Sequence, residues 1–189
     1  MTALLNEVDP RVKRTRKLLL QALAELMSER SFLAISVQDI AARATVNRAT
    51  FDAHFEDKYA MFESLIREGF DEHLRSKFPQ DSSLNEANLR MLILTVIEYL
   101  GRLNSRCRKQ DRRMDPLVES TAQDTLYQFV LNWLGKEPRR RESADSTASV
   151  MSWAIFGAAV QWSRSERTKS NDVLASEIFE VLSRGVMGY

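Results

Sequence analysis

Ser36-Val37-Gln38-Asp39-Ile40-Ala41-Ala42-Arg43-Ala44-Thr45-Val46-Asn47-Arg48-Ala49-Thr50-Phe51-Asp52-Ala53-His54-Phe55-Glu56-Asp57-Lys58 is the stretch on which the reading of this chain turns. Ser36 and Asp39 stand at the spacing of a capping box, with Asp in place of the usual Glu or Gln. Val37, Ile40, Ala41 and Ala44 fall on one face behind them, so a short helix starts here. Thr45-Val46 interrupts the pattern, Asn47 offers a second N-cap, and Arg48 to His54 continues as a helix of about two turns. Phe51 and Phe55 lie i,i+4 on its inner side. Short helix, tight turn and short helix together have the spacing of a helix-turn-helix. Its second helix fits a DNA major groove. Asn47, Arg48 and Thr50 then face base edges and phosphates, Ala49 permits close approach, and Arg48 is the side chain best suited to read guanine.

Upstream, Asp9-Pro10 supplies an N-cap and a proline at the first helical position. Leu19, Ala22, Leu23, Leu26 and Met27 then follow one helix face, which predicts a helix from about 10 to 29. Arg11, Lys13, Arg14, Arg16 and Lys17 put five cations into seven residues without an acid, whereas the whole chain has a net charge of only +1. A uniformly basic nucleic-acid surface is therefore excluded, and phosphate contact must come from such local clusters.

Downstream, Asp57 can cap a longer helix carrying Phe62, Leu65, Ile66, Gly69, Phe70 and Leu74 until Phe78-Pro79 stops it. After the polar residues 80–83, Leu89 to Leu103 keep helical spacing. A basic connector runs from Arg106 to Arg113, and Asp115-Pro116 repeats the cap-plus-proline start ahead of Leu126, Phe129, Val130, Trp133 and Leu134. Gly135 is a natural stop and Lys136 to Ser146 reads as a polar loop. Val150 to Val160 is apolar nearly all round and must be covered on several sides, and Leu174, Ile178, Phe179 and Leu182 mark a last amphipathic helix. With six glycines, four prolines and no sustained alternation, the expected fold is all-α with about nine helices. A chain of 189 residues buries roughly 70% of its unfolded surface and needs no staples. The expected division is residues 1–58, a connecting helix at about 58–78, and a helical body over 79–189.

The stretch resembles the TetR family of transcriptional regulators, matching its DNA-binding pattern at Asp39-Ile40-Ala41, Ala44, Val46, Thr50-Phe51, His54-Phe55 and Lys58. The resemblance extends over about 50 residues, including Arg16 to Met27. It implies a homodimeric repressor that binds double-stranded DNA at a palindromic operator and is released by a small-molecule inducer. Arg16, Lys17, Ser36 and Gln38 would flank the recognition helix as phosphate contacts, and His54 and Lys58 belong to the same carried-over set. The body would dimerise through its last two helices, with Trp153, Phe156, Gly157, Ala158, Val160, Ile178, Phe179 and Leu182 as interface candidates. An inducer pocket would be lined by Tyr99, Leu103, Phe129, Trp133 and Trp153, and the scarcity of charge on the core faces favours an apolar or aromatic compound. Two residues depart from the family pattern. Thr45 replaces the turn glycine, which strains the backbone if a left-handed conformation is kept. Asp52 replaces a tyrosine that touches phosphate; lying four residues after Arg48, it is positioned to pair with and orient the guanidinium.

Other classes find less support. There is no glycine-rich phosphate loop, and His54 and His73 have no zinc spacing, so neither catalysis, cofactor nor metal is expected. A helical protein-interaction adaptor with a degenerate helix-turn-helix is the rival reading. The single Cys107 excludes an internal disulfide; its basic neighbours can activate a thiol, but a solvated basic loop explains the same residues. The start of the chain lacks a signal-peptide apolar run, and Val150 to Val160 falls short of the ~20 residues that span a bilayer. A cytoplasmic location is expected.

Overall fold

The computed structural model describes residues 9–79, 82–106, 114–136, 143–165 and 169–186. Among these it forms eight α-helices and no strand: α1 (Pro10–Glu29), α2 (Val37–Arg43), α3 (Arg48–Asp52), α4 (Lys58–Lys77), α5 (Glu86–Arg106), α6 (Asp115–Gly135), α7 (Ala144–Arg164) and α8 (Asn171–Val186), with a 3-10 turn at Phe32–Ala34. The all-α expectation holds, with eight helices where about nine were anticipated. No helix among the described residues is long and apolar enough to cross a membrane. Cys107, Arg108 and Lys109, and the arginines at 139–141, lie outside the described residues.

The chain divides into two compact units. The first contains α1, α2, α3 and α4 as far as Ile66. α1 starts where Asp9 accepts the Arg11 N–H at 2.8 Å, with Pro10 at a position whose N–H would be unpaired in any case. Leu19, Leu23, Phe32, Ile40, Phe51 and Met61 are fully buried here, each large apolar side chain worth about 1.5–3 kcal/mol when removed from water. Phe32 anchors an aromatic group, 4.8 Å from the Phe62 ring and edge-on to Tyr59 at 5.4 Å. Arg43 fastens α2 to α1 through a two-pronged contact with Glu29 at 2.8 and 2.9 Å, the geometry in which a guanidinium holds a carboxylate best.

The second unit is built from the rest of α4 and from α5 to α8. α5 is its central helix, packing on α7 and α8, which also pack on each other. Leu89, Leu92, Ile93, Val96 and Ile97 of α5 are fully buried. Phe78 seats between Phe129 at 5.5 Å and Trp133 at 5.1 Å, which pins α6. The Arg90 guanidinium lies 3.6 Å from the Phe179 ring centre.

Four expected interface residues are turned inward in the single chain. Phe156, Ile178, Phe179 and Leu182 are buried within the single chain, where α5, α7 and α8 pack on one another. The uncovered side of α7 carries Val150, 62% exposed, and Trp153, 59% exposed, with Gly157 exposed one turn further on. Val160 is half-buried. On α8 the exposed apolar residues are Val173 and Val181.

Candidate DNA-binding site

The helix-turn-helix is assembled almost entirely from local hydrogen bonds. Ser36 and Asp39 form a full capping box: the Ser36 hydroxyl accepts the Asp39 N–H at 3.2 Å, while the Asp39 carboxylate accepts the Ser36 N–H at 2.8 Å and its hydroxyl at 2.6 Å. Arg30 adds an ion pair at 3.0 Å. Those hydrogen bonds from Ser36, followed by the Arg30 contact, hold the Asp39 carboxyl down at about 2, since each favours the charged form. Ser36, expected as a phosphate contact, thus has its hydroxyl committed to the cap.

α2 ends in a Schellman turn. The Val46 N–H reaches the Ala41 carbonyl at 2.9 Å and the Thr45 N–H reaches Ala42 at 3.1 Å, the pairing that closes a helix around one left-handed residue. That residue is Thr45, at φ 57°. The strain foreseen from its replacement of glycine is therefore real: a β-branched residue sits where Cβ crowds its own backbone. Asn47 then caps α3, its Oδ1 accepting the Thr50 N–H at 2.7 Å and the Thr50 hydroxyl at 2.8 Å. Only the Asn47 amide NH2 is left to donate outward.

Arg48, Ala49, Lys17 and Gln38 are exposed, as are Arg11, Lys13 and Arg14 on α1. The Arg48 Nε lies 3.7 Å from the Asp52 carboxylate, the pairing expected from their spacing. Arg16 is half-buried, its guanidinium 4.5 Å from the Phe55 ring centre. His54 is also half-buried, and desolvation, then the positive charge of Arg16, pull its pKa below the ordinary value. That shift favours the neutral imidazole, which is suited to packing more than to phosphate attraction.

Lys58 has an internal role that its place in the motif did not reveal. Its ammonium donates to the carbonyls of Phe32, Leu33 and Ile35 at 3.2, 3.3 and 2.7 Å, and lies 4.8 Å from the Phe32 ring centre. Desolvation lowers its pKa, but three carbonyl dipoles and an aromatic face receive the charge. Asp57 caps α4, its Oδ1 accepting the Tyr59 and Ala60 N–H groups, both at 2.8 Å. Tyr59 is a residue that sequence reading passed over. It is exposed at the rim of a shallow depression that Leu33, Ile35, Val37 and Lys58 also line, and the Asp57 cap that fixes it was its only sequence signal.

In the second unit the residues expected to line a ligand pocket separate into groups. Phe129 and Trp133 lie 5.3 Å apart in the cluster with Phe78. Tyr99 stacks on Phe70 at 4.3 Å and on His73 at 5.8 Å, and burial pushes its phenol up to about 12. The Arg102 Nη2 meets His73 Nε2 at 2.8 Å, and Leu103 is half-buried. Trp153 does not line an internal wall: it stands on the exposed side of α7.

The first unit thus carries a capped helix-turn-helix within an all-helical fold. Residues 19–65 match the family described as bacterial regulatory proteins, tetR family. An uncharacterized HTH-type transcriptional regulator of Bacillus subtilis, YxbF, is 31% identical over 109 residues, a match covering 51% of this chain and 29% of that protein. The chain thus spans under a third of the length of this relative. Among solved structures, Thermus thermophilus FadR, a TetR-family repressor in complex with lauroyl-CoA, is similar over 90% of this chain and 94% of its own, at 19% identity and a TM-score of 0.60. The TetR-family repressor AlkX from Dietzia sp. strain DQ12-45-1b is similar over 90% and 97%, at 18% identity and 0.60. The fatty acid degradation regulator FadR of Bacillus halodurans covers 91% and 96%, at 16% identity and 0.56. These structural likenesses concern the fold.

Proposed function

We propose that this protein is a cytoplasmic repressor that binds double-stranded DNA at a palindromic operator as a homodimer and is released by a small apolar or aromatic ligand. It acts by binding and not by catalysis. The observation that carries the reading is the exposed Arg48 on a helix whose own backbone needs are met by Asn47, within the segment that matches the tetR family. Such an arginine can give two parallel hydrogen bonds to guanine O6 and N7. Lys17 and Gln38, both exposed, supply phosphate contacts, with the Asn47 amide and the cations of α1 beside them. Such contacts set register and affinity more than base choice.

Dimerisation follows from the uncovered face of α7. Val150, Trp153 and Gly157 make an apolar surface on α7 of a kind that soluble proteins cover with a partner. A second copy is the occupant, and Gly157 allows close helix approach. Twofold symmetry of the dimer makes the operator palindromic. The aromatic and apolar residues Phe129, Trp133, Tyr99 and Leu103 are the wall candidates for a ligand, and the Thermus thermophilus neighbour solved with lauroyl-CoA is the precedent for one. A ligand preferring the DNA-incompetent state would lower DNA affinity by its differential binding.

The test is selection of bound sites from random duplex DNA at near-physiological salt, with wild type and Arg48→Ala compared. A palindrome should emerge with wild type, and Arg48→Ala should bind it about 10- to 100-fold more weakly. Absence of any enriched site with folded protein would remove the repressor reading.

A further inference from the structure

The Arg48–Asp52 pair lies on the exposed side of α3, with side chains 63% and 55% exposed and the contact made through Nε at 3.7 Å. Helix stability does not account for it. Arg48 is the first residue of α3 and Asp52 the last, so each charge sits at the helix end whose dipole disfavours it. An arginine placed four residues before an acid is also the weaker order for an i,i+4 pair. DNA affinity does not account for Asp52 either, because a carboxylate beside phosphates is repelled. What the contact does provide is direction. With Nε facing Asp52, the Nη1 and Nη2 nitrogens, which have no hydrogen-bond partner among the described residues, form the free outer edge of the guanidinium. That edge is the one that fits guanine O6 and N7.

We infer that Asp52 is a specificity-determining positioning residue: it holds the Arg48 guanidinium by its Nε edge so that the Nη1 and Nη2 edge reads guanine at one base pair of each half-site. The inference rests on the DNA-binding reading and deepens it. In the free protein the pair is loose and hydrated. On docking, water leaves, the local dielectric falls, and the carboxylate tightens its hold on the guanidinium. An arginine without that brace swings to a nearby phosphate, keeping affinity while losing base choice.

The experiment compares wild type, Asp52→Ala, Asp52→Asn and Arg48→Ala by quantitative selection on random duplexes, followed by titration of the best site and its single-base variants. The base pair whose preference disappears in Arg48→Ala identifies the position read. At that pair wild type should prefer guanine. Asp52→Ala should lower the preference about 10-fold while total affinity holds or rises, and Asp52→Asn, which still accepts a hydrogen bond, should retain part of it. A merely structural role would lower affinity evenly across all positions and shift the melting temperature. If Asp52→Ala leaves guanine discrimination unchanged at a site that wild type selects, the positioning inference falls and the DNA-binding reading stands. If wild type selects no site, both fall.

Discussion

α3 and α7 both present side chains to solvent, but they reach that state by opposite routes. α3 is 5 residues long and α7 is 21. A helix as short as α3 cannot hold itself together, because nucleation consumes most of what its few hydrogen bonds return. It survives through its caps: Asn47 at one end, the Schellman turn of α2 ahead of it, and Phe51 buried beneath. Those polar groups are engaged by the backbone, and Arg48 and Asp52 are left as the charged groups outside. α7 begins at Ser143 without a side-chain cap hydrogen bond and depends on burial of Met151, Ile155 and Phe156 instead. What remains outside over the middle of α7, at Val150, Trp153 and Gly157, is apolar. Exposure has a different meaning in the two cases: a polar remainder next to satisfied caps reads a polar partner, and an apolar remainder on a burial-driven helix needs covering.

The largest effect expected from this contrast lies on α7. Val150→Glu with Trp153→Glu should convert a dimer into a monomer, because an interface tryptophan alone is worth about 2 kcal/mol or more and a carboxylate on an apolar face adds desolvation. Sedimentation should register self-association weakened by about 100-fold or more, with helical circular dichroism unchanged, since neither side chain belongs to the chain's own core. A dimer that persists would mean that this face is not the one covered.

Next in size is Lys58. Losing an ammonium that serves three backbone carbonyls, two of them part-buried, should destabilise the first unit by about 1.5–3 kcal/mol, so Lys58→Met should move the urea midpoint down. Were Lys58 chiefly a phosphate contact, the same variant would leave the midpoint in place and instead flatten the salt dependence of DNA binding. The two measurements separate an internal brace from a surface cation.

These examples also mark what the sequence made legible. Caps are short-range chemistry, so Asp9-Pro10, Ser36 with Asp39, Asn47 and Asp57 placed the starts of α1 to α4, and the strain at Thr45 followed from a side chain standing where glycine is usual. The Arg48–Asp52 pairing was readable for the same reason, being four residues apart. The task of Lys58 was not, because its acceptors lie 23 to 26 residues away and only the tertiary fold brings them to it. The outer face of α7 was hidden as well. A segment apolar on nearly every side has no periodicity to separate core from surface, which is how Phe156 was assigned to the interface and Trp153 both to the interface and to a pocket. On α8 the pattern was clear, but it marked the face toward α5, and Leu182 went with it.

A smaller effect concerns the turn between α2 and α3. Thr45→Gly should remove left-handed strain of roughly 1–2 kcal/mol, offset by the extra freedom glycine gains in the unfolded chain. A net gain of about 1 kcal/mol or slightly less should appear as a higher melting temperature. A loss would mean that the threonine side chain supports the turn in a way its backbone angle conceals.

Smallest, and confined to acid, is the contribution of the α2 cap. The folded-state pKa of Asp39 is depressed to about 2, below the value of about 3.9 for an unperturbed aspartate. The unfolded chain therefore binds this proton first as pH falls, and the stabilisation from the ionised cap is fully present above about pH 4 and lost on descent toward pH 2. His54 and His73, whose pKa values are also lowered, act with the same sign at higher pH, their stabilisation fading as the medium falls below the ordinary histidine range. Asp39→Asn leaves both histidines in place. The difference between wild type and Asp39→Asn in urea unfolding should hence be flat from pH 8 to about 5 and shrink only in the acid limb. A difference that changes instead near pH 6 would mean that Asp39 is coupled to a group titrating there and that the cap does not act alone.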